Sequence, residues 1–254
     1  MQDNKLDLSF CIKEKIREIN FHNLKIGGDK SFSFMTENNN TAHPLFALEF
    51  LYSSNNIIEE ISSPNKADII SVKFDIQDEN FDENEIKEFL TKVEKIVNKP
   101  LILRGANNND IDKKLLPLLA QSINQECIIA FADENTFENI VPSVVKNNHI
   151  LVLRSPIDIN LAKELNILSI DKGISPDRIL IDPDMGGLGY GLDYGYSIIE
   201  KIRQAAFDGD TMLNMPVIAF IGEESYRAKE AKSDTFAQNW GQFSERSVMW
   251  EISA

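Results

Sequence analysis

The sequence predicts an α/β protein built as a TIM (β/α)8-type barrel, with seven strands visible, the eighth missing and a β-hairpin at the N-terminus. Three observations carry this. Seven short, β-branched runs are apolar on consecutive positions: Ala47 to Leu51, Ala67 to Phe74, Pro100 to Gly105, Cys127 to Ala132, His149 to Ser155, Ile179 to Asp184 and Pro216 to Gly222. That is the pattern of strands buried on both faces, as in a parallel sheet. Nearly every gap between them holds a helix-period segment. The runs start 20 to 37 residues apart, the size of repeated βα units.

The elements follow in order. Ile12 to Phe34 reads as a hairpin: Ile19-Asn20-Phe21 and Leu24-Lys25-Ile26 turning at Gly27-Gly28-Asp29, with Ser31-Phe32-Ser33-Phe34 returning. Such a hairpin suits the bottom of a barrel. Residues 1–40 are therefore read as an extension and 41–254 as the barrel domain. The tracts Glu37-Asn38-Asn39-Asn40 and Asn107-Asn108-Asn109 read as loops. The first βα unit is short, with only Asn56 to Ile61 helical. Ile86, Phe89, Leu90, Val93, Ile96 and Val97 form one apolar stripe. Ile111, Leu115, Leu118 and Leu119 form the next, with Pro117 as an expected kink. Phe137, Ile140, Val141, Val144 and Val145 repeat the pattern. The fifth helix is announced by Ser155 as cap, Pro156 at the first helical position and Asp158 closing a capping box. Gly173 ends it and Pro176 follows. A sixth helix runs from about Tyr194 to Phe207 and stops at Gly209. After Gly222 no convincing eighth strand precedes Ala254. An open barrel exposes two edges and apolar surface, which predicts poor solubility of the chain by itself.

Composition excludes several classes. The chain has 254 residues, 43% of them hydrophobic, enough for a sizeable core. Acidic residues (40) outnumber basic ones (26), giving a net charge of −14 and a pI near 4.7. That argues against a nucleic-acid or anionic-membrane partner. The apolar runs are too short to span a bilayer, and the first residues show no signal-peptide pattern. Cys11 and Cys127 cannot build a disulfide scaffold or hold an iron–sulfur cluster alone. A cytoplasmic protein in a reducing compartment is expected.

In parallel α/β folds, ligands sit at the carboxyl ends of the strands. That rule selects five loops: Gly105-Ala106-Asn107, Asp133-Glu134-Asn135, Ser155 to Asp158, Asp182 to Gly191, and Gly222-Glu223-Glu224. In the fourth, Gly186, Gly187, Gly189 and Gly191 let the backbone approach a flat or anionic ligand, and Asp182 is placed to orient that ligand's polar edge. A plain chain turn is the equal alternative. Ser155 and Asp158 read first as a helix start, and otherwise as a free helix N-terminus facing a ligand. Asp133 and Asn135 share that ambiguity. Glu223 and Glu224 read as a solvated first helical turn before a catalytic carboxylate. His22, His43 and His149 lie too far apart to suggest a metal site. An Asp-x-His-x-x-Gly stretch that would ligate cobalt is missing, as are a Walker loop, Gly-x-Ser-x-Gly and His-Glu-x-x-His. No catalytic residue and no metal ligand is expected.

At the fifth and sixth βα units the sequence becomes recognisable. Ser155-Pro156-Ile157-Asp158-Ile159-Asn160-Leu161-Ala162-Lys163-Glu164-Leu165-Asn166-Ile167-Leu168 resembles a signature of the corrinoid iron–sulfur protein small subunit family, which includes the delta subunit of the acetyl-CoA decarbonylase/synthase complex. Asp182-Pro183, Gly186, Leu188-Gly189-Tyr190-Gly191 and Tyr194 through Ala206 continue the likeness. Gly209-Asp210, Met212-Leu213, Met215-Pro216, Glu224, Ala228-Lys229-Glu230-Ala231, Trp240-Gly241 and Trp250-Glu251 follow in order. Upstream, Ile26-Gly27-Gly28 and Pro44 with Ala47-Leu48-Glu49 match the family's opening. Asp184-Met185-Gly186-Gly187 stands where the family usually has Thr-Thr-Gly-Ala.

The resemblance implies a TIM barrel paired, as a heterodimer, with a larger subunit that carries the iron–sulfur cluster and a corrinoid-binding domain. It implies a cobalamin-type corrinoid held between the two subunits near the barrel's top. It implies a role in the reductive acetyl-CoA (Wood–Ljungdahl) pathway, taking a methyl group from a methyltetrahydropterin methyltransferase and passing it to acetyl-CoA synthase. On this reading the chain is a non-catalytic subunit, with Asn107, Asp133, Ser155, Asp158, Asp182, Gly186, Gly187 and Gly189 as candidate corrinoid contacts. The alternative is a pterin-binding methyltransferase on a related barrel, with Asp182 and Asn107 or Asn160 bonding the ring. A degenerate barrel kept as a scaffold is the third reading.

Overall fold

Runs that are apolar on consecutive positions become strands covered on both sides. The computed structural model describes residues 16–28, 44–185, 192–233, 235 and 238–253. Strands β1 (Glu18–Phe21) and β2 (Leu24–Gly27) form an antiparallel hairpin. Six strands follow: β3 (Ala47–Leu51), β4 (Ile69–Lys73), β5 (Leu101–Arg104), β6 (Cys127–Ala132), β7 (Ile150–Arg154) and β8 (Ile179–Asp182). They form one parallel sheet in sequence order. Between them lie helices α1 (Ile57–Ser62), α2 (Glu83–Ile96), α3 (Asn109–Ser122), α4 (Phe137–Asn147) and α5 (Ile159–Asp171), and α6 (Leu192–Phe207) follows β8. The chain then carries α7 (Ile221–Arg227), α8 (Lys229–Lys232) and α9 (Phe243–Ser253). No helix of the described residues is long and apolar enough to cross a membrane.

Side-chain alternation divides each strand between two cores. Ile70, Val72, Leu101, Leu103, Cys127, Ile129, Leu151, Leu153, Ile179 and Ile181 point outward into the helices. There they meet the expected stripes, including Ile86, Phe89, Leu90 and Val93 of α2 and Ile140, Val141 and Val144 of α4. Ile69, Ile102, Ile128, Ala130, Ile150, Val152 and Leu180 form a second, inner cluster, joined by Ile19 and Phe21 of the hairpin. His22 meets the carbonyl of Glu126 at 2.8 Å, just before β6. The hairpin thus packs at the amino end of the strands. α3 runs unbroken across Pro117 to Ser122.

Several expected details differ. The hairpin turns at His22-Asn23, with φ +53° at His22, rather than at Gly27-Gly28. Gly27 serves a close approach instead: a Cβ there would lie 2.5 Å from the Arg17 carbonyl oxygen and from Pro216, and Gly28 N donates to that same carbonyl at 2.8 Å. Ser31 to Phe34, the Glu37–Asn40 tract, His43 and Cys11 lie outside the described residues. The seventh strand is shorter than expected. It joins β8 through one bridge, Ile181 with Val217, and two backbone hydrogen bonds, Ile181 N to Pro216 O and Ile218 N to Ile181 O. Pro216 has no N–H to extend the ladder, and α7 already begins at Ile221. The described residues that follow hold helices and connecting turns and no eighth strand. Among the described residues β3 is therefore an edge of the sheet, with Phe46, Leu48 and Leu51 exposed.

Candidate functional site

The carboxyl ends of the inner strands leave apolar chemistry behind. Lys73, Arg104, Arg154 and Asp182 are the last residues of β4, β5, β7 and β8. Arg104 is 2% exposed. Its Nη1 donates to both carboxylate oxygens of Glu49, at 2.9 and 3.2 Å, and its Nη2 donates to Glu223 at 2.8 Å. Lys73 donates to the same Glu223 oxygen at 2.7 Å. Arg154 Nε donates to Asp182 at 2.7 Å. Two aromatic rings fill the space between. The Arg154 guanidinium carbon lies 3.4 Å from the centroid of Phe131, and that of Arg104 lies 4.6 Å from Phe220. A bulge in β6 between Ile129 and Ala132 accompanies the inward placement of Phe131.

These charges sit in low dielectric, so each needs a partner. Burial pushes the Asp182 carboxyl above its ordinary range, against the pull of Arg154. At Glu223 burial acts the same way. The hydrogen bond from Lys73 and the charges of Arg104, Lys73 and Arg227 overcome it, and the carboxyl titrates below its usual value. Glu223 is thus no solvated helix-start residue. Its neighbour Glu224 pairs with Arg227 at 3.1 Å.

Around this mouth lie the loops that sequence reasoning selected. The loop after β5 is organised by Asp112, a buried carboxylate that accepts from Ala106 N at 2.7 Å and Asn108 N at 3.1 Å. Burial raises its pKa while those backbone donors oppose the rise. A Cβ on Gly105 would meet Asp112 at 2.4 Å, so only glycine fits there. Asn107 is the exposed tip, at φ +64°. After β6, Asp133 accepts from Asn135 N and from the Thr136 hydroxyl, each at 2.9 Å. It ties the turn together and neither it nor Asn135 caps α4, whose cap position is Thr136.

After β7, the cap of α5 is Asp158, accepting from Asn160 N at 2.8 Å and Leu161 N at 3.1 Å. Ser155 is too far upstream to cap and is fully buried. Its backbone N donates to Asp182 O, and its Oγ has no hydrogen-bond partner. Pro156 and Ile157 turn outward, Ile157 at φ +50° and exposed. Ile157 N donates to Pro183 O, which links this loop to the one after β8. There Asp182 is buried against Arg154 and accepts from Asp184 N at 3.0 Å. Gly186, Gly187, Gly189 and Gly191 lie outside the described residues.

The structure therefore brings Ser155, Asp158 and Asp182 onto adjoining loops at one end of the sheet, with Asn107 and Asp133 on the two loops before them. Sequence reasoning missed Glu49, Lys73, Arg104, Arg154, Phe131 and Phe220. A signal was present: three apolar runs, Ile69–Lys73, Leu101–Arg104 and Ile150–Arg154, end in a cation. His149 is structural, accepting from Cys127 N at 3.3 Å and meeting Ala120 O at 2.8 Å. Burial raises the Cys127 thiol well above its usual pKa, so it stays protonated. Among the described residues no cluster of His, Cys, Asp and Glu is arranged to hold a metal ion.

Comparison with known proteins agrees with this architecture. The profile of the CO dehydrogenase/acetyl-CoA synthase delta subunit family matches residues 52–243. Acetyl-CoA decarbonylase/synthase complex subunit delta 1 of Methanosarcina thermophila is 32% identical over 198 residues, 73% of this chain and 45% of that relative. The subunit delta of Methanocaldococcus jannaschii is 28% identical over 192 residues, 74% of this chain and 47% of that one. The chain spans about half the length of these curated relatives. Among solved structures it is similar to Yersinia pestis DHPS with a pterine-sulfa conjugate. The TM-score is 0.51 at 11% identity, covering 92% of this chain and 89% of that one. This is a likeness of fold, the TIM barrel.

Proposed function

This chain belongs to the CO dehydrogenase/acetyl-CoA synthase delta subunit family, and on that premise we propose that it is the corrinoid-presenting subunit of a methyl-transferring corrinoid iron–sulfur protein. It pairs in the cytoplasm with a larger subunit that carries the corrinoid-binding domain and the iron–sulfur cluster. The pair moves a methyl group from a methyltetrahydropterin methyltransferase to acetyl-CoA synthase in the reductive acetyl-CoA pathway. The corrinoid supplies the cobalt chemistry. This chain's residues bind and orient its rim.

The observation that carries the reading is the chemistry of the rim. Asn107 and Asn135 stand exposed on the loops after β5 and β6, and Asn160 stands exposed in the first turn of α5, beside exposed Pro156 and Ile157. Uncharged amides next to an apolar step fit the amide-fringed edge of a flat macrocycle. The neighbouring carboxylates do not compete, because Asp133, Asp158 and Asp182 are engaged within the fold. Ser155 Oγ, one residue before Pro156, retains its full hydrogen-bonding capacity.

The test is co-expression of the full chain with the large subunit and corrinoid. A stoichiometric complex is expected, with corrinoid retention weakened when Asn107→Ala and Asn160→Ala are combined. Failure of the two chains to co-purify with corrinoid present would overturn the reading. So would tight methyltetrahydrofolate binding by this chain alone in a fluorescence titration, which marks a pterin-binding methyltransferase.

A further inference from the structure

We propose that Lys73 and Arg104, paired side by side on β4 and β5, form a binding site for a monocarboxylate, and that Glu223 occupies this site in the unliganded chain. The site uses none of the residues assigned above to the corrinoid rim. Lys73 and Arg104 are register partners and are 12% and 2% exposed at their side chains. One Glu223 oxygen lies between them, 2.7 Å from Lys73 Nζ and 2.8 Å from Arg104 Nη2. Arg104 Nε is buried without a hydrogen-bond partner, a donor left over in a planar fork suited to carboxylates. Phe220 covers the guanidinium.

The two anions here differ in attachment. Glu49 is part of β3 and also accepts from Ser71 Oγ at 3.2 Å. Glu223 belongs to the seven-residue α7, which has no side-chain cap and follows a strand with a single bridge. Its other oxygen already meets Arg227 of its own helix at 3.1 Å, where Arg227 is 55% exposed. A ligand's carboxylate can therefore take the inner position while Glu223 moves outward with its surface cation still paired.

Charge selects the ligand class. Without Glu223 the mouth holds Lys73 and Arg104 against Glu49, beside the mutually paired Arg154 and Asp182, a net charge of +1. A monocarboxylate restores neutrality, whereas a doubly charged phosphate leaves an uncompensated negative charge in a buried site.

The experiment titrates 13C-labelled acetate into the full chain by NMR, with inorganic phosphate as comparator, for wild type, Glu223→Gln, Glu223→Ala and Arg104→Met/Glu223→Ala. Removing the tethered competitor is expected to tighten acetate binding by about tenfold, the factor of one charge-assisted contact. Phosphate does not compete, and Arg104→Met abolishes the gain. In wild type, saturating acetate is expected to raise amide hydrogen exchange across residues 221–227. This readout needs no variant to fold. Acetate affinity unchanged in both Glu223 variants, or exchange at 221–227 indifferent to acetate, would overturn the proposal.

Discussion

At the amino ends of the inner strands, Ile69, Ile102, Ile128 and Ile150 close over Ile19 and Phe21 of the hairpin. At the carboxyl ends, two to four residues further along three of the same strands, Lys73, Arg104 and Arg154 meet Glu49, Glu223 and Asp182. One end gains from removing apolar area from water. The other holds charges whose desolvation cost is offset only while every partner is in place. The difference teaches that apolar burial and paired buried charge occupy opposite ends of the same strands, and the charged end is the one where parallel α/β folds place their ligands.

The comparison can be broken most forcefully at Asp182. Asp182→Ala strands Arg154 in the mouth and is expected to cost about 3–5 kcal/mol, measured by denaturant unfolding. At the other end, Ile128→Ala leaves a cavity beneath the hairpin and is expected to cost about 2–5 kcal/mol by the same measurement. Removing the α5 cap with Asp158→Ala is expected to cost about 1 kcal/mol, with loss of helix protection confined to the first turn.

Acid sharpens the contrast. His149, at the amino end, has its pKa lowered by burial, so the unfolded chain takes the proton first. Its contribution to stability is complete above pH 6.5 and is lost as pH falls toward the folded-state value. Glu223, at the carboxyl end, keeps its contribution until pH falls below the ordinary glutamate range. Unfolding free energies measured from pH 7 to pH 4 are expected to decline first through His149, and His149→Gln removes that early slope. The smallest effect is expected at Ser155→Ala, within about 0.5 kcal/mol, because its hydroxyl has no partner to lose. A larger cost in unfolding would show an intramolecular role for that hydroxyl.

Strand and helix positions were legible because burial on both faces leaves uninterrupted apolar runs. Cys127 to Ala132 and Ala47 to Leu51 match the strands to the residue. The hairpin turn was misplaced because Gly27 and Gly28 carry the usual turn signal, yet Gly27 serves a close approach to the Arg17 carbonyl and to Pro216, the latter from distant sequence. Ser155 was assigned the cap of α5 because Ser-Pro is a common helix start. Asp158 holds that place, since its carboxylate reaches Asn160 N and Leu161 N. The loops of the candidate site were found from the rule that ligands meet strand ends. The charge cluster was not, because Lys73, Arg104, Arg154 and Glu223 are separated by tens of residues, and only sheet register and the docking of α7 set them together.

Local chemistry along the chain was enough to dictate the βα alternation, the helix stripes and which strand ends carry loops, because periodicity and capping act over a few residues. Whether a charge at a strand end becomes solvated, paired or available to a ligand was decided by the tertiary structure. That outcome depends on which distant side chain arrives within 3 Å, and on how much water remains when it does.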